Sequence, residues 1–172
     1  MINEISEIFH KVQKIPYKVC RFDEAEIDES LKCGDCRHKT YLLKKFLEEM
    51  GIEVRITMVI FNWADLPLPN SILGILKKSG TLFPHKIVEM KRGDNWIKLD
   101  CGWDPDLKNA GFPVTEEWDG KTDTKQITRG KLEFYAIRDY EEKHKINLVK
   151  GEAHEFASSL NEFLDSFRKK DL

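Results

Sequence analysis

Three features of the sequence predict an α+β fold. Apolar residues recur with helical period near both ends and over residues 36–50, alternating β-branched runs lie between 53 and 100, and Gly93 with Asp94 marks a tight turn between two of those runs. The 172 residues are enough for one domain, 1–172, with a sizeable core. Taken in chain order, Ile2, Ile5, Phe9 and Val12 form one buried helical stripe. "PYKVCRF" reads as a short extended piece, and "DEAEIDES" as a solvated loop or turn. Leu43, Phe46, Leu47 and Met50 define a second helix, which Gly51 stops. "EVRITMVIF", residues 53–61, alternates as a strand, and 84–91 with 95–100 form a hairpin. Residues 101–130 show no clear period, "KLEFYAI" reads as one more strand, and Phe156, Leu160, Phe163, Leu164 and Phe167 give a closing amphipathic helix. The connection 62–83 is long for a compact domain, and is read as a lid or as an insertion.

Composition narrows the function. Charged residues make up 34% of the chain but are interspersed, leaving a net charge of -2 and no basic footprint for nucleic acid. "MINEISEIFHKVQKI" is a charged amphipathic pattern and not a secretory leader, and no apolar run approaches the roughly 20 residues of a membrane span. The expected setting is the cytoplasm, with no membrane partner. There, Cys20, Cys33, Cys36 and Cys101 are expected to be catalytic, metal-binding or inert, not a disulfide framework.

The stretch "KCGDCRHKTYLLKKFLEEMGIEVRI" carries the chemistry. Asp35 is a good N-cap, so Cys36 falls in the first turn, where unpaired N–H groups and the helix dipole favour a thiolate. Leu43 and Met50 follow at intervals that turn Cys36 towards the core side, whereas Cys33 lies before the helix. His38, about 200° around the helix from Cys36, is expected to face solvent. A base and an orienting acid must come from elsewhere, and the hairpin offers His85 and Asp100. A two-residue turn puts them on one face, opposite or diagonal; a three-residue loop separates them.

"GDC", the helix ending in Gly51-Ile52, "HKIVE" and "NWIKLD" together resemble the catalytic core of the transglutaminase-like superfamily. The resemblance covers about residues 34–104 through Gly34, Asp35, Cys36, Gly51, Ile52, Arg55, His85, Glu89, Trp96, Leu99 and Asp100. It implies a helix packed on an antiparallel sheet and a Cys36-His85-Asp100 triad that forms an acyl-enzyme thioester. It selects Cys36 over Cys33. Thr40 stands where the family usually has Ala and Ile87 where Trp is frequent; with Trp96 and Trp103 they are assigned to the substrate pocket, the two tryptophans reading as core or pocket wall ahead of substrate contacts. Cys101, following Asp100, would be in reach of Cys36 on oxidation.

The preferred function is therefore hydrolysis of an amide or peptide bond by a cysteine protease or amidase, since one small domain looks more like the hydrolytic branch. The substrate would be a peptide, a protein or a small amide, and the mechanism requires no cofactor and no metal. The alternatives are transfer of the acyl group to an amine, a non-enzymatic binding module, a C-x-x-C redox protein, or a zinc site from Cys33, Cys36 and His38 with Cys101 or His85. His10, His144 and His154 sit in charged surroundings and are expected to be solvated. Oligomeric state has no signature here.

Overall fold

The computed structural model describes residues 2–143 and 148–168. Its order is α1 (Ile2–Gln13), α2 (Cys36–Glu49), β1 (Val54–Asn62), α3 (Asn70–Leu73), β2 (Leu82–Arg92), β3 (Asn95–Leu99), β4 (Glu133–Ala136), α4 (Ile137–Lys143) and α5 (Lys150–Asp165). The four strands form one antiparallel sheet in the order β3-β2-β1-β4. The architecture is α+β.

The hairpin turns on two residues, because Arg92 pairs with Asn95 and Gly93 takes φ 59° at the first central position. The helix α2 stops where its sequence says it should. Gly51 adopts φ 75°, and the N–H groups of Gly51 and Ile52 donate to the carbonyls of Glu48 and Leu47, closing the last turn.

Two apolar clusters share the sheet. One joins Ile5, Phe9 and Val12 of α1 and Leu42, Leu43 and Leu47 of α2 to Val88, Met90, Ile97 and Leu99. The other joins Phe61, Trp63, Trp103 and Phe112 to Phe156, Leu160 and Leu164 of α5. Cys36 packs against the second cluster from the end of a helix that belongs to the first. The nucleophile candidate thus lies where the two halves of the core meet.

The connection 62–83 is packed: Trp63, Leu66, Leu68, Ile72 and Leu76 are buried along its short helical turns, and Glu152 of α5 accepts the N–H groups of Lys78 and Ser79. Its apolar residues are too closely spaced to stay in water, so α5 folds over them. The predicted strand "KLEFYAI" ends at Ala136, and α4, unexpected from the sequence, begins at Ile137. Of the residues expected on helical stripes, Phe167 is 39% exposed. The Ile2 side chain and His144 lie outside what the structure describes. His154 is exposed, and His10 is half-buried with Nδ1 against Gln13. Among the described residues, no helix is long and apolar enough to cross a membrane.

Candidate active site

Cys36 is the first residue of α2, and the residues around it are spent on building that helix start. Asp35 accepts the Arg37 N–H at 2.9 Å, while its own N–H donates to His38 Nδ1 at 3.2 Å, a reciprocal capping box. Burial pushes the Asp35 carboxyl up, but the hydrogen bonds and charge of Arg37, with His38 beside it, outweigh that and hold the group at about 2. His38 is therefore a structural residue. It is buried, not solvent-facing, because the segment 20–22 crosses that side of α2 and Arg21 O accepts its Nε2–H at 2.8 Å. Gly34 is required by the same cap: a Cβ there would meet His38 Cβ at 2.5 Å.

The second half of the site comes from the hairpin. Continuing the Val88–Leu99 register places Gly102 opposite His85 and Asp100 on the diagonal. His85 Nε2 lies 2.9 Å from Asp100 Oδ2, with both side chains buried. Burial pushes the His85 imidazolium down, but the charge and hydrogen bond of Asp100, followed by those of Cys36, hold its proton up to about 10. Since Nε2 is engaged by Asp100, Nδ1 is the nitrogen left for the sulfur. The structure thus brings Cys36, His85 and Asp100 together in the order a nucleophile, base and orienting acid require.

Asp100 is itself held from two sides. Its Oδ1 accepts the Gly102 N–H at 2.9 Å and its N–H donates to Thr124 Oγ1 at 2.8 Å. Gly102 is fixed in turn by Lys39, a fully buried lysine whose Nζ donates to the carbonyls of Gly102, Gln13 and Ile15 at 2.8, 2.9 and 2.7 Å. Periodicity could have flagged Lys39, which is three residues after Cys36 and four before Leu43, on the buried side; its charge argues the opposite. Thr124 has no such signal in the sequence. A Gly102→Ala variant would put Cβ 3.0 Å from Asp100 Oδ1 and 3.5 Å from His85 Cε1. We expect it to lower turnover by about tenfold or more, as a displaced orienting acid does, with a much smaller change in melting temperature. Equal loss of both would make Gly102 a folding residue only.

Tyr17 is a further group that the sequence did not single out. A parallel bridge joins Tyr17 to Gly34, Asp104 accepts its N–H at 2.9 Å, and Arg168 donates to its carbonyl at 2.9 Å. Asn161 of α5 grips Val19 through both N–H and carbonyl. These ties set a buried phenol beside Cys36. Burial, then the negative charges of Cys36 and Asp35, push the Tyr17 hydroxyl well above its ordinary value, so it remains a neutral O–H donor.

A cleft of about 300 Å³ opens onto Cys36 and His85. Val19, Phe61, Trp63, Phe83 and Phe156 are among its walls. None of the four residues expected on the pocket wall lines it. The Thr40 hydroxyl donates to Lys86 O and ties α2 to the sheet; Ile87 is buried within the core. Trp96 lies under the Arg55 guanidinium at 4.1 Å, and Trp103 is a core residue whose Nε1–H donates to Ile127 O. Glu89 likewise serves the sheet, bonded to Arg55 and Thr57. A larger concavity of about 750 Å³ along residues 115–125 holds none of Cys36, His85 and Asp100, so the smaller cleft is the candidate site.

No known family model, curated protein or solved structure matches this chain. Its reading therefore rests on its own geometry. That geometry also weighs the alternatives. The four strands contain no parallel pair, so the βαβ frame of a thioredoxin-like redox site is not formed. Among the described residues no group of three or more His, Cys, Asp or Glu side chains converges as metal ligands do, and His38 is committed to Asp35 and Arg21. Cys101 is buried in the α1–α2 cluster, and burial, ahead of other influences, pushes its thiol up to about 12. A thiol held neutral in this way is a poor partner for oxidation with Cys36.

Proposed function

We propose that this chain is a thiol-dependent acyl-transfer enzyme of the transglutaminase-like type, and that it hydrolyses an amide or peptide bond. The observation that carries the reading is the buried His85–Asp100 pair, 2.9 Å apart, set against a cysteine in the first turn of a helix at the mouth of a cleft. The Cys36 sulfur forms a bond to the substrate carbonyl carbon, and the carbonyl oxygen takes up the negative charge. The Cys36 backbone N–H and the Tyr17 phenol are the donors available to that oxyanion. As the C–N bond breaks, the His85 proton passes to the departing amine and a thioester remains. Water then gives a proton to His85 and attacks the thioester; the C–S bond breaks, releasing the carboxylic acid product and leaving the sulfur beside the imidazolium as at the start. Asp100 holds the ring orientation throughout.

Water is preferred to an amine as acceptor because the cleft lacks a free carboxylate to receive an ammonium group. Asp35, the acid among its lining residues, is spent on Arg37 and His38. The experiment uses p-nitrophenyl acetate, an activated acyl donor. A stoichiometric burst of p-nitrophenolate, with an acetyl group on Cys36 found by mass spectrometry and absent in Cys36→Ala, is expected. A burst that survives Cys36→Ala, or no burst at all, would sink the proposal. Formation of N-methylacetamide in preference to acetate when methylamine is added would move the assignment to acyl transfer.

A further inference from the structure

The cleft also describes the group that the substrate brings, on the reading of Cys36 as an acyl-accepting thiol. Beside Cys36 and His85 its wall is built from Val19, Met58, Phe61, Trp63, Phe83 and Phe156. The charged residues that line it are engaged with other protein groups. Arg37 is bonded to Asp35 and to Cys20 O, and the Lys86 ammonium lies 5.3 Å from the centre of the Tyr41 ring. A charged side chain entering here would lose its water without gaining a free counter-ion. A large apolar one would gain by leaving water. At about 300 Å³ the space is at the small end of ligand sites, suited to one residue-sized group and too small for a branched glycan.

A second observation concerns Trp63, which is 3% exposed. Its rings are fixed by edge contacts to Phe61, Phe83 and Phe156, so this wall presents rigid aromatic faces and edges to whatever enters.

We propose that the acyl donor presents a large apolar side chain, preferably aromatic, to this cleft. The donor is thus an acylated aromatic amino acid or a peptide carrying one, and Trp63 and Phe156 set the specificity.

The test compares N-acetyl-L-phenylalanyl chloromethyl ketone with its N-acetyl-L-aspartyl analogue on the full chain. In both, the Cys36 sulfur forms a C–S bond as chloride leaves. The rate at Cys36 is followed by peptide mass spectrometry and divided by the rate of the same reagent with glutathione. The phenylalanyl reagent should lead by roughly ten- to a hundredfold, as burial of an aromatic side chain warrants, and should saturate with concentration. Ala157→Phe, which fills the cleft from α5, should bring the ratio near unity. Equal rates for the two reagents, both above glutathione, would overturn the inference and leave the thiol enzyme standing; so would a preference untouched by Ala157→Phe. If neither reagent outpaces glutathione, the thiol reading fails and the inference fails with it.

Discussion

Replacing His85 by alanine should slow the alkylation of Cys36 by iodoacetamide at pH 7 by about a hundredfold or more, the order that a positioned acid-base partner contributes. Cys20 and Cys33 should label as in the wild type. The ring is buried against Asp100 and Cys36, which together hold its proton to about 10, so a cation lies beside the sulfur throughout the neutral range. The difference between wild type and His85→Ala should therefore be widest between pH 6 and 8 and shrink as pH approaches 10. Stability follows the same proton. Folded His85 keeps it to about 10, but an unfolded histidine only to about 6.5. The stabilisation is fully present below pH 6.5 and is lost as pH rises towards 10. Urea titrations should show a larger deficit for His85→Ala at pH 6 than at pH 10. Equal alkylation rates in the two proteins from pH 6 to 8 would mean that the imidazolium does not act on the sulfur.

Lys39→Met is expected to be the most damaging substitution outside the proposed triad of Cys36, His85 and Asp100. It leaves the carbonyls of Gln13, Ile15 and Gly102 buried without their donor. At roughly 1 kcal/mol or more for each, the loss comes to about 3 kcal/mol, a large share of the 5–15 kcal/mol typical of a domain. Turnover should fall further than the folded fraction does, because Gly102 also supplies the N–H that holds Asp100. Burial lowers Lys39 from 10.5 to about 8. Below pH 8 the fold carries the cost of a buried ammonium. Between 8 and 10.5 the folded lysine is already neutral while the unfolded one keeps its proton, so that cost fades as pH rises, offset in part because the neutral amine has two N–H groups for the three carbonyls. Methionine has no such dependence, and the stability gap between wild type and variant should widen from pH 7 to pH 10. A urea midpoint shifted by less than a third of the expected loss would show that water replaces the ammonium at these carbonyls.

The parts of this site that were legible in the sequence are those governed by neighbours along the chain. Asp35 caps α2, which puts Cys36 in its first turn; Gly51 ends the helix; and Gly93-Asp94 makes a two-residue turn that carries Asp100 to His85. Each depends on backbone geometry within a few residues. His38 shows where that reasoning stops. Its position on the helix surface is correct, yet a segment about seventeen residues earlier in the chain covers that surface and makes it interior. Thr40, Ile87, Trp96 and Trp103 are similar cases, since residue type and spacing do not say which neighbour each side chain finds. The stretch 62–83 lacks period and still packs, because α5 arrives to bury it.

By itself, then, the sequence determined the α+β elements and the helix start that carries Cys36, and it reduced the alignment of His85 with Asp100 to the length of one turn, which the Arg92–Asn95 pairing fixes at two residues. Only the tertiary structure decided that Tyr17 lines the cleft, that Lys39 fixes Gly102, that Gly102 and Thr124 hold Asp100, and that aromatic residues from β1, β2 and α5 wall the cleft. The first group follows from turns, caps and pleat, which act over a few residues. The second depends on contacts between segments far apart in sequence, such as Val19 with Asn161 or Lys39 with Gly102, and those are selected by the packing of the whole core.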